Sequence, residues 1–171
     1  MFIATKSTKV IAIHEVEWQC RRNAKGLDKS AYWTWLETVT TEDKNGVKTH
    51  DFSGEDYEIV ETEVDVQKFY QSGHITETID GISYHLTWDG TKIVKDDTAK
   101  DAWELAEEWK RIREERNRLL SESDWTQGGD SPLTTQKKSD WAKYRTSLRT
   151  LPEDQSSKTK YSDITWPTKP S

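Results

Sequence analysis

The residues of this 171-residue chain best suited to chemistry are four histidines (His14, His50, His74, His85), one cysteine (Cys20) and nine tryptophans. The histidines lack the His-x-x-x-His spacing that sets two imidazoles on one helix face as metal ligands. His74 and His85 fall diagonally on one face of an expected hairpin. A zinc site there is conceivable, but two solvated imidazoles on a polar face are the expected outcome. Cys20 adjoins Arg21 and Arg22, whose charge would lower its pKa, yet no histidine lies near it in sequence to act as a base. A lone cysteine forms no internal disulfide and no thiolate metal knuckle, which fits a reducing compartment. The pairs Glu61 with Glu63 and Asp96 with Asp97 read as solvated edges that discourage strand-to-strand aggregation. No glycine loop cradles a phosphate and no serine sits in a nucleophile elbow. The expectation is a protein without catalytic residues, metal ligands or cofactors. A small hydrolase would require His74 and His85 to converge with a carboxylate in a pocket.

The aromatic residues pose a different question. Trp33 and Trp35 share one face of an expected strand with Tyr32 on the other, and stacked aromatics beside acids hold sugars; a lean sheet also needs large side chains on its inner face. A sugar-binding module for host recognition predicts Trp33 or Trp35 exposed in a cleft beside Asp or Glu. A protein-binding role predicts buried tryptophans and an apolar patch that only a protein partner covers. Composition bears on this: 32% of residues are hydrophobic and 33% charged, so a thin sheet plus a helical extension is expected rather than one thick globule. Residues 1–96 carry 11 basic and 17 acidic side chains, and residues 97–171 carry 14 of each. An acidic first half repels phosphate backbones, so no nucleic-acid partner is expected. The N-terminus turns polar at Lys6 and no stretch approaches 18 apolar residues, which predicts a soluble, cytosol-made protein with no membrane partner.

The positioning elements follow from periodicity. Val10, Ala12, His14, Val16 and Trp18 alternate against Ile11, Ile13, Glu15 and Glu17 as a half-buried strand. A polar loop, Arg21 to Ser30, leads to a second strand over residues 31–41 and an Asn45-Gly46 turn that sets Asp43 opposite Lys48 and Val39 opposite Phe52. A third strand is expected over Tyr57–Glu63, then a segment, Val64–Gln71, that could form a helical turn. A hairpin about Asp80-Gly81 would pair Ile79 with Ile82, Glu77 with Tyr84 and Ile75 with Leu86, and set Gly73 beneath Trp88; a turn at Asp89-Gly90 leads to a strand over Thr91–Val94.

After Asp97 the period changes to three and four. Thr98 is the expected cap of a helix whose stripe runs Ala102, Leu105, Ala106, Trp109, Ile112, Arg116, Leu119 and Leu120, ending near Ser121. A second helix, capped by Thr134, carries Trp141, Tyr144, Leu148 and Leu151 on one side and is expected to end at Pro152. Residues 153–171 read as a polar tail that either wanders or lies along a surface through Tyr161, Ile164 and Trp166. The fold class is α+β: an N-terminal antiparallel sheet or meander (1–96), then a C-terminal two-helix hairpin with an extended tail (97–171).

One ordered series of motifs goes beyond helix periodicity. RNRLLSESDWTQ at 116–127, the Asp130-Ser131-Pro132-Leu133 loop, WAKYRTSLRTLP at 141–152 and WPTKP at 166–170 together resemble the domain of phage tail assembly chaperone proteins. The resemblance covers about 55 residues, Arg116 to Pro170, and implies a phage origin and a tail-related role. The expectation is a non-catalytic tail morphogenesis protein, made in the host cytoplasm and kept in a larger assembly as a minor virion subunit, whose β unit (1–96) docks to a tail, tail-fibre or baseplate component. The alternatives are a transient tail or fibre chaperone absent from the virion, or the sugar-binding module. Trp109, Trp125, Trp141, Tyr144, Arg145, Arg149 and Trp166 are the residues expected to build the partner-binding platform. Arg145 and Arg149 would pair with Asp124 or Asp130 across the hairpin or reach the partner. Residues 1–96 carry no recognisable resemblance.

Overall fold

Strand β1 (Phe2–Lys6) turns through Ser7, at φ +55°, into β2 (Lys9–His14). The pairing runs Phe2 to His14 and Ala4 to Ala12 but then Thr5 to Val10, so Ile11 is an extra residue on β2. This bulge breaks the expected alternation, sending Ala12 to one face and Val10 to the other. The computed structural model describes residues 1–79 and 81–171. They divide into two compact units, Met1–Lys100 and Asp101–Ser171.

The first unit is built on an antiparallel five-stranded sheet ordered β5-β1-β2-β8-β9, with β5 at Glu58–Glu61, β8 at Leu86–Trp88 and β9 at Ile93–Lys95. Strand β2 ends at His14, short of the expected Trp18, because helix α1 (Glu17–Ala24) starts there. Gly26, at φ +63°, closes α1: its amide reaches Asn23 O and that of Leu27 reaches Arg22 O, so the chain leaves through a left-handed residue. One sheet face packs Ala4, Ala12 and Tyr57 against Cys20 of α1, and a second core gathers Val10, Phe69, Ile75 and Leu86.

The strand expected over residues 31–41 is instead helix α2 (Lys29–Thr38), followed by β3 (Thr40–Glu42). Tyr32, Trp35, Leu36 and Val39 satisfy a spacing of three and four as well as the strand period satisfies Trp33 and Trp35. The Asp28 carboxylate, accepting from Ala31 N at 2.8 Å, tips the choice to helix. Strand β3 pairs with β4 (Lys48–His50), Glu42 opposite Lys48, one residue off the expected register. The loop is Lys44-Asn45-Gly46 rather than a two-residue turn: Asp43 Oδ1 accepts from Asn45 N and Val47 N, and Gly46 takes φ +77°.

A short helix α3 (Gln67–Gln71) occupies the segment expected to turn, and β6 (Ile75–Thr78) pairs with β7 (Gly81–Tyr84). Asp80 of the expected Asp80-Gly81 turn lies outside the described residues. The register pairs Ile75 with Tyr84 and Glu77 with Ile82, two residues off, and leaves Ile79 almost wholly exposed. The strand expected to run on to Trp88 breaks at His85, where β8 changes partners to β2 and β9. At Asp89-Gly90 the turn forms as expected, with Asp89 Oδ1 accepting from Thr91 N and Lys92 N.

Helix α4 (Asp97–Glu122) is capped by Asp96, whose carboxylate accepts from Ala99 N at 2.9 Å, rather than by Thr98. A single 3-10 turn (Asp124–Gln127) leads toward α5 (Thr135–Asp154), where Thr134 Oγ1 accepts from Lys137 N as expected. Pro152 does not end α5. It falls in the last turn, where the amide it lacks costs one bond, and the helix closes with Gln155 N on Leu151 O. The architecture is α+β, antiparallel strands first and long helices last.

Candidate functional site

The hairpin of α4 and α5 is zipped by two clusters. Trp141, Tyr144 and Leu148 pack with Leu119, Leu120 and Leu133, while Ile112, Leu151 and Ile164 pack with Trp109 and Tyr161. Trp166 joins both. The tail is therefore a third layer of the seam. It is stapled at both ends: Tyr161 N donates to Glu108 Oε2 at 2.7 Å, and the Gln155 amide exchanges two 2.8 Å bonds with the backbone of Thr165. The stripe expected on α4 is only partly buried, since Ala102, Leu105 and Ala106 are exposed. Helix α5 is six residues shorter than α4 (20 against 26), and its last seam residue, Leu151, packs at Ile112.

Arg145 organises the turn end. At 6% exposure it donates to Leu120 O (2.6 Å), Ser123 Oγ (2.7 Å) and Asp124 Oδ1 (2.6 Å), the first two through Nη1 and the last through Nη2. Of the two routes open in the sequence, this guanidinium takes the internal one. Arg149, one turn further along α5, is exposed. Trp125, next to Asp124, is 54% exposed with its ring edge-on to buried Trp141 at 6.0 Å. Trp109 and Trp166 are half-buried, and Tyr144 is buried edge-on to Trp141. Of the seven residues expected in the platform, Trp125 and Arg149 are exposed, Trp109 and Trp166 are half-buried, and Trp141, Tyr144 and Arg145 are buried. Ser123 and Gln155 were not legible in the sequence: each acts through a hydrogen bond whose partner is placed only by the fold.

His74 and His85, expected as two solvated imidazoles on a polar face, are instead both buried, and their backbones pair, His85 N donating to His74 O at 2.8 Å. His74 is buried, its Nε2 3.0 Å from Asp97 Oδ1 and its Nδ1 3.0 Å from Ser72 Oγ. This resembles a nucleophile relay only superficially. Asp97 is 83% exposed, so solvent screens its contact with the imidazole, and the Ser72 hydroxyl lies 2.9 Å from Lys68 O, to which it donates, so it closes α3. Among the described residues no three His, Cys, Asp or Glu side chains converge as a metal set. Burial pushes the Cys20 thiol up to about 11, overriding Arg21, so the lowered pKa expected from its neighbours is corrected. Among the described residues no helix is long and apolar enough to cross a membrane.

In the first unit α1 and α2 bring together aromatics the sequence had split between two strands. Trp18 lies 5.2 Å from Trp33 and 5.7 Å from Tyr32, and Trp35 stacks on Phe52 at 5.9 Å. Trp33 is 43% exposed and borders a cleft of about 340 Å³ that Glu17, Arg21 and His50 also line. Trp35 is half-buried, with Lys25 Nζ 4.4 Å from its ring.

The second unit is a helical hairpin closed by its own aromatic tail. Residues 109–171 match the family model described as phage tail assembly chaperone protein, the family that residues 116–170 resemble. The match ties this region to phage tail assembly. No curated protein and no solved structure matches the chain.

Proposed function

We propose that the chain is a non-catalytic phage tail morphogenesis protein whose helical module binds a tail, tail-fibre or baseplate component and stays in the particle as a minor structural subunit. One observation carries this reading. The apolar seam of the hairpin is filled by the protein's own tail through Ile164 and Trp166. A chaperone that holds an unfolded client needs an open apolar groove; a permanent subunit docks by a pre-organised patch with a rigid aromatic anchor. Trp125, half exposed over buried Trp141, has that form, and exposed Arg149 adds a charge further along α5. Trp141, Tyr144, Arg145 and Trp166 support the anchor, and Trp109 packs the other cluster of the seam.

Mass spectrometry of purified virions tests the reading. Stoichiometric presence of the chain is expected, together with loss of the chain from particles grown with Trp125→Ala. Absence from wild-type virions, with the chain bound to a fibre or tail protein in infected lysate, would replace the structural subunit with a departing chaperone.

A further inference from the structure

The aromatic cleft of the first unit lies outside residues 109–171 and has no part in the tail-assembly reading. Its rings are not equivalent. Arg22 lies 5.9 Å from the Trp18 ring and Arg21 3.8 Å from Phe52, so two of the lining rings already carry a cation, and Lys25 lies 4.4 Å from the neighbouring Trp35. Among the described residues no cation is seated on Trp33, which is 43% exposed and stands on the cleft wall.

The polar groups are few and of both kinds. Glu17 Oε1 accepts both Nε (2.9 Å) and Nη2 (2.7 Å) of Arg21, which fixes the carboxylate and leaves Oε2 for another donor. His50 shares Nδ1 with Thr40 Oγ1 at 2.8 Å, leaving Nε2 at an exposed position. A free aromatic face beside one held carboxylate and one imidazole suits a ring whose faces are C–H and whose edge bears hydroxyls. The volume is within the range of small-ligand sites, roughly 300–1,000 Å³. A cationic ligand would meet two cations already seated on the lining rings. A nucleic-acid backbone would meet the excess of 17 acidic over 11 basic side chains in residues 1–96.

We propose that this cleft binds a neutral pyranose unit of a glycan, stacked on Trp33 and hydrogen-bonded through its hydroxyls to Glu17 and His50. The test uses the full chain on an array of defined bacterial surface saccharides. It is followed by titration of the strongest binder while the indole N–H resonance of Trp33 is observed by NMR. The expected result is saturable binding with a shifted Trp33 signal, weakened about tenfold or more by Trp33→Ala and by Glu17→Gln, and unchanged by Trp125→Ala. Near-UV circular dichroism identifies any variant that has lost its fold, and the wild-type Trp33 shift then decides alone. Three results overturn the proposal: no saccharide on the array bound, a bound saccharide that leaves the Trp33 resonance unmoved, or a cleft that takes a phage polypeptide and no sugar.

Discussion

Arg145 reaches three acceptors from one guanidinium, and two of them are neutral groups at the end of α4. Lysine cannot reproduce that fork, so Arg145→Lys is expected to destabilise the protein by about 2 kcal/mol, read as a lower urea midpoint at unchanged slope. Asp124→Asn should cost less, about 1 kcal/mol or under, because Asp124 is 66% exposed and solvent already screens its charge. Cys20 gives a second residue-scale expectation. Burial raises the thiol from 9.0 to about 11, and Tyr57 and Tyr84 are likewise pushed up to about 12. Well below pH 9 all three groups are neutral folded or unfolded, and their contribution is fully present. Above it the unfolded chain releases protons that the folded chain retains, so stability should fall steadily from about pH 9 to 12, and the slope from 9 to 11 should flatten in Cys20→Ala. For the same reason Cys20 should resist a thiol reagent at pH 8 until the protein is unfolded.

Among the elements, the tail contributes most beyond what periodicity foretold. A polar run with few apolar side chains gives no period to read, yet Ile164 lands between Ile112 and Leu151 and the Gln155 amide fixes the backbone of Thr165. Ile164→Ala is expected to cost about 2–3 kcal/mol and to free the tail, detected as rapid amide exchange at Thr165 while Leu148 remains protected. The helices themselves were legible, since α5 begins at its expected cap and its seam is Trp141, Tyr144, Leu148 and Leu151. Residues 31–38 were misread because aromatic and β-branched side chains fit a strand and a helix equally well over so short a run, and only packing and the Asp28 cap separate the two. The β6–β7 slip has another cause. A shift of two residues keeps every side chain on its face, so alternation cannot detect it, whereas turn geometry can.

For the whole molecule, the division at Lys100 and Asp101 accompanies a division of charge, acidic in the first part and balanced in the second. Each unit has its own clusters of buried residues. Residues 97–171 expressed alone should therefore retain a helical far-ultraviolet spectrum and unfold cooperatively in urea. A gradual, non-cooperative loss of signal would show that the hairpin and tail do not fold by themselves.

By itself the sequence determined the class of the fold, the long helices with their buried seam, and the resemblance of residues 116–170 to the phage tail assembly chaperone family. These are properties of repeated local pattern and of an ordered motif, and many residues vote on each. Only the tertiary structure decided where the tail lies, which way Arg145 turns, and that Trp18, Trp33 and Phe52 meet around one cleft. Each of those rests on a few contacts between residues far apart in the chain, and the energy of such a contact depends on what happens to be opposite, which no window of sequence contains.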